Sequence, residues 1–213
     1  MSSQDPVSPR SLPGPIEYAL LAALAAAWGT SFMFTKVAVS ALPPVTLVAV
    51  RMVFGALVML SLLRLRGPFP RISRRDLKLF VVIGLISNAL PLTMITISVS
   101  FVDSSVTATT MALVPLITMM MAMAGGTYPT LRNTIGLLVG LAGIAVLFGP
   151  KSLMSVGNGS FGAISALCAG ISFSSSLFLM GRVRQYPPFA VATYALIAAA
   201  FWSVPMALAI DGM

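Results

Sequence analysis

Apolar residues in this chain neither alternate nor keep to a single helical stripe. They fill runs that approach the ~20 residues a helix needs to cross about 30 Å of hydrocarbon. Seven such runs follow one another: Tyr18–Val39, Val45–Leu63, Leu77–Val99, Ser105–Ala124, Thr134–Phe148, Phe161–Gly181 and Phe189–Ile210. A helix that is apolar all round belongs in a core or in lipid, and seven in succession leave no polar residues to cover them. The expected fold is all-α: a polytopic transmembrane helix bundle of about seven spanning helices. The fifth run is the shortest, with small and apolar residues on either side. Pro91, Pro115 and Pro205 lie inside runs, where each freed carbonyl must find another donor on a neighbouring helix or in water.

Composition supports the same reading. Hydrophobic residues make up 58% of the chain and charged residues 8%, with a mean hydropathy of +0.98. A soluble domain carries about a quarter charged residues. The net charge of +8 does not indicate nucleic acid, because the cations sit in short loops rather than on one face. Residues 1–16, rich in Ser, Pro and Gly, predict a disordered tail. The run after them is too long for a cleaved signal, so it should remain as the first span.

The loops set an orientation. Arg64, Arg66, Arg71, Arg74, Arg75 and Lys78 lie between the second and third runs, Arg132 between the fourth and fifth, and Arg182 and Arg184 between the sixth and seventh. Arg10 is in the tail. With seven crossings all of these fall on one side, while Lys151, Asp103 and Asp211 fall on the other. The positive-inside rule then places the amino terminus in the cytoplasm and Met213 outside it; the expected location is the cell inner (plasma) membrane.

One ordered set of residues carries a resemblance. Trp28-Gly29-Thr30-Ser31-Phe32 is followed by Pro43-Pro44, then Arg51 in the second run. Pro115-Leu116 falls in the fourth run, Thr130-Leu131-Arg132 after it, and the glycine-spaced GLLVGLAGIAVLFGP forms the fifth. In order and spacing this resembles the EamA-type exporters of the drug/metabolite transporter superfamily. The resemblance implies two five-helix repeats of opposite topology, which switch a midplane site between two sides by alternating access. Residues 17–150 would be the first repeat and 159–213 part of a second. Gly170-Ile171-Ser172-Phe173 echoes Gly29-Thr30-Ser31-Phe32, and Pro187-Pro188 echoes Pro43-Pro44. The acidic residue usual after the family's fourth helix is here Thr127. The chain ends two helices into the second repeat, which leaves open a truncated protein or scaffold, without transport, that acts only as an oligomer.

Five residues are candidates for contact with a substrate: Trp28, Ser31, Arg51, Asn88 and Tyr194. Arg51 lies roughly 9 Å into its helix at 1.5 Å per residue. A charge there costs ~2.5–3.5 kcal/mol on insertion scales and must face protein or water. It would either clamp a carboxylate or phosphate, or tie down outer loop carbonyls or Asp103. Trp28 and Ser31 are one turn apart and can share a face. Asn88, three residues before Pro91, needs a partner at membrane depth. Tyr194 could turn its hydroxyl to a cavity or to an interface. Lys36 can snorkel to the outer surface. Ser172, Ser174, Ser175 and Ser176 would bond their own backbone as packing residues, and Met119, Met120, Met121 and Met123 read as lipid-facing residues or core filler. Gly136 and Gly140 form a G-x-x-x-G face that would admit close helix contact, including a homo-oligomer.

The sequence offers no chemistry beyond binding. It has no histidine and a single cysteine, Cys168, so neither a His-based metal site nor a disulfide framework can form. No phosphate-binding loop or nucleophile elbow appears. The expectation is a carrier without cofactor or metal, probing a small-molecule substrate such as an amino acid, a derivative or a drug, and not an enzyme.

Overall fold

The computed structural model describes residues 14–67, 72–157 and 161–212, with side chains described outside 147–157. The tail before Gly14, Arg71 and the repeat boundary at 159 lie outside the described residues. The helices are α1 (Pro15–Ala38), α2 (Pro44–Arg66), α3 (Arg74–Gly84), α4 (Leu90–Phe101), α5 (Ser104–Met111), α6 (Val114–Ala124), α7 (Leu131–Gly157), α8 (Phe161–Met180) and α9 (Pro188–Ile210). A π-helical turn, Leu85–Ala89, joins α3 to α4.

These elements follow the seven apolar runs one for one. Six segments are long and apolar enough to cross a membrane: α1, α2, α3 through α4, α5 through α6, α8 with its following turn, and α9. The seventh, Leu131–Val146, is the shorter apolar part of α7. That helix continues to Gly157, past the expected end at Phe148. Its apolar run stops there, while its helical backbone does not. The fourth run is two helices, because α5 ends at Met111 and Pro115 stands in the first turn of α6, where its missing N–H costs nothing.

The central contact is between α2 and α9, which run antiparallel. At one end Asp211 Oδ2, just past α9, accepts the Thr46 backbone N–H (2.6 Å) and hydroxyl (2.7 Å), capping the first turn of α2. At the other end the Arg66 guanidinium lies 4.3 Å from the centre of the Phe189 ring. Between them, α9 buries Ala195, Ala198 and Ala199. Small side chains let helix backbones approach closely, which is how helices bind where lipid is as apolar as the interior. The approach is tightest at Gly84 of α3, which has no room for a Cβ against Ala198 and Ala199.

The π turn shows how Pro91 is tolerated. Leu90 donates to the carbonyl of Leu85, five residues back. In that register the next amide would serve Ile86, but residue 91 is proline and has none. Ser172 of α8 supplies the donor, with its hydroxyl 2.7 Å from the Ile86 oxygen. Ser172 is thus an interhelical strut, and so is Ser174, which accepts from Thr118 at 3.0 Å. Ser175 and Ser176 bond their own helix, as expected. Replacing Ser172 with alanine should therefore destabilise the bundle by about 1–2 kcal/mol, read as a lower unfolding midpoint in detergent. The same change at Ser175 should leave that midpoint unmoved.

Candidate functional site

Helix α1 presents one face at a spacing of three and four residues: Ala27, Thr30, Ser31, Phe34, Thr35 and Ala38. Together with Leu47, Val48, Val50 and Arg51 of α2 and Thr96 of α4, this face lines an open cavity of about 400 Å³. Small and hydroxyl residues on α1 make the hollow, since a bulkier face would fill it. Among the described residues Arg51 is the only charged one in the lining. It reaches across to α1, where Nη2 donates to Ser31 Oγ at 3.1 Å.

The hydrogen-bond inventory of the cavity is lopsided. The hydroxyls of Thr30, Thr35 and Thr96 donate to carbonyls of their own helices, Ala26, Ser31 and Leu92, each at 2.7 Å. Their protons are occupied, leaving acceptor lone pairs. A guanidinium has five N–H donors, and here one meets a neutral oxygen. Among the described residues no carboxylate lines the cavity, so what the site offers is the donors and positive charge of Arg51 beside hydroxyl oxygens that can accept.

Arg51 and Ser31 are thus brought together, and the other three candidates lie elsewhere. Trp28 is a turn from Ser31 but at the edge of the lining face, roughly 100° round the helix from Ala27. Its ring meets Phe173 edge-on at 6.1 Å. Asn88 sits in the π turn and donates to Ser87 Oγ at 2.6 Å. Tyr194 is on α9, with its ring 5.5 Å from Phe80. Around Gly136, Gly140 and Gly143 of α7 a Cβ would meet nothing within 4 Å.

Other polar residues hold the bundle around the cavity. Lys36 bonds the carbonyls of Val99 (2.6 Å) and Val102 (3.0 Å), closing the carboxyl end of α4 rather than reaching for solvent. At the opposite end Tyr186 donates to Asp76 Oδ2 at 2.6 Å. That bond to a carboxylate pushes the phenol above its ordinary range, because ionising it would lose the bond and oppose a negative charge. Sequence alone missed Thr30, Phe34 and Thr35 as lining residues, although their spacing with Ser31 carried the signal. The Asp76–Tyr186 pair joins residues 110 positions apart and had no signal.

A chain of apolar membrane-length helices with a cationic cavity of about 400 Å³ between them is a polytopic helical membrane protein. The EamA-like transporter family matches residues 16–149, and the chain belongs to that family. It is 30% identical over 159 residues, 74% of this chain, to the uncharacterized inner membrane transporter YedA of Escherichia coli K12, covering 50% of that protein. It is 24% identical over 147 residues, 68% of this chain, to the uncharacterized transporter YoaV of Bacillus subtilis, again covering 50% of it. The chain spans about half the length of the curated relatives it matches. No solved structure is a significant match.

Proposed function

We propose that the chain forms the substrate-binding part of an inner-membrane carrier that exports small metabolites by alternating access, with its amino terminus in the cytoplasm. The observation that carries this is Arg51: a guanidinium at membrane depth, on a cavity of about 400 Å³, with a neutral serine as its hydrogen-bond partner. Charge at such depth is expensive and is a mark of function. Arg51 and Ser31 would hold a carboxylate or phosphate on the cargo, while Phe34, Leu47 and Val48 enclose its apolar part. Trp28, Asn88 and Tyr194 enter only as supports of neighbouring packing. The antiparallel pairing of α2 with α9, each opening on a Pro-Pro pair, supports residues 17–150 and 159–213 as inverted copies.

Counterflow of labelled small carboxylates into vesicles carrying the protein tests this reading. Arg51→Ala should raise KM by roughly tenfold or more, the loss of a charge-assisted pair. Arg51→Lys should recover only part, since an ammonium lacks the planar fork. Flux unchanged in Arg51→Ala would remove Arg51 from the site. A scaffold without transport, joined through the open Gly136/Gly140 face, is the competing reading. It expects no flux of any solute and crosslinked oligomers through Cys168, which is exposed.

A further inference from the structure

A second cavity, of about 580 Å³, opens on the outside of the bundle where α8 turns into α9. Its walls are apolar: Leu177, Met180 and Val183 from α8 and the turn, Pro188 and Val191 from α9. Arg184 and Tyr186 stand at its mouth. Leu177 is 56% exposed, and it also lines the adjoining hollow against α6 and α7, so the apolar wall continues along α8. Gly181 adds open space, with nothing within 4 Å of a built Cβ.

The mouth lies at the end of the molecule that gathers its cations. Arg66 stacks on Phe189, and Tyr186 of the lining donates to the Asp76 carboxylate. The exposed side chains of Arg182 and Arg184 have no hydrogen bond or ion pair among the described residues. A groove with hydrocarbon walls and the Arg184 guanidinium in its lining matches an amphiphile with an anionic head. A free anion would leave the walls bare, and a neutral lipid would leave Arg184 without a counter-charge.

We propose that this groove binds one anionic phospholipid, with its phosphate on Arg184 and an acyl chain along Leu177 and Val191. The site is separate from the Arg51 cavity and does not depend on the transport reading. Attraction of a basic residue to an anionic membrane surface adds to the hydrophobic fit of the chain.

Native mass spectrometry of the detergent-solubilised protein with equimolar phosphatidylglycerol and phosphatidylcholine tests the site. The first lipid retained should be phosphatidylglycerol. Arg184→Gln should weaken its binding about fivefold, and Val191→Trp, which fills the groove while keeping the arginine, should weaken it as much. Lys78→Gln removes the same charge from the same end but outside the lining, and it should leave binding within about twofold. Equal retention of the two lipids, or an equal loss in Lys78→Gln, would overturn the proposal. Inorganic phosphate binding alone as tightly as the lipid would overturn it too, by making the groove a free-anion site.

Discussion

Replacing Gly84 with valine should prevent α3 and α9 from meeting and cost more stability than any other single change in the bundle. A Cβ at Gly84 would stand 2.5 Å from Ala198 Cβ, 2.7 Å from Ala199 N and 2.8 Å from Ala195 O. Two of these three atoms are backbone, so no rotamer change relieves the clash. Overpacking of a close-packed interior costs typically 1–3 kcal/mol and occasionally more. Gly84→Ala should fall near the top of that range, about 3 kcal/mol, and Gly84→Val beyond it. The effect should spread, because α9 also carries the Asp211 cap on α2 and the Trp202 indole, which donates to the Val81 carbonyl at 3.1 Å. Thermal unfolding followed by tryptophan fluorescence gives the readout. Gly136→Val, at a glycine with open space around it, is the matched control and should unfold close to the wild type. An unfolding midpoint for Gly84→Ala equal to that of the parent would mean that α3 and α9 do not approach as described.

What the sequence revealed and what it hid divide along one physical line. Spans are local: a run of apolar residues meets the requirement of the hydrocarbon by itself, so the seven apolar runs could be read one after another, and six of them are long enough to cross. The cavity was half legible. Arg51 stood out because a charge inside an apolar run is costly wherever it points, and Ser31 because it lies one turn from Trp28, although Ser31 lines the cavity and Trp28 does not. Asn88 and Tyr194 were polar residues at depth, but the Asn88 amide finds its partner next door in Ser87, and the Tyr194 ring packs on Phe80, away from the Arg51 cavity. Which partner a residue finds depends on how helices rotate against one another, and apolar helices carry no stripe from which to read that rotation. Ser172 makes the point best. Four serines within five residues look alike in sequence, yet the π turn at Leu85–Ala89 leaves the Ile86 carbonyl without its backbone donor, and it is Ser172 that donates to it.

Lys36→Met should be the second costly change, although methionine is the better residue for lipid. Insertion alone predicts a gain, since an ammonium in lipid costs free energy and a thioether does not, though less near a helix end than the ~2.5–3.5 kcal/mol at its centre. The structure reverses the sign. Lys36 donates at 2.6 Å and 3.0 Å to the carbonyls of Val99 and Val102, at the carboxyl end of α4, where the last carbonyls of a helix have no partner of their own. An ammonium is also the charge favoured by the negative end of the helix dipole. Charge-assisted bonds contribute about 1.5–3 kcal/mol each, and a carbonyl left bare in an apolar setting loses its full solvation. Methionine should therefore cost about 2–4 kcal/mol. Lys36→Arg, which keeps donors at that distance, should retain most of the stability, a rescue that a purely steric role for the side chain would not give. Reversible unfolding in mixed micelles measures both variants. A Lys36→Met protein as stable as its parent would show that water, not the lysine, serves those carbonyls, and would return Lys36 to the outer surface.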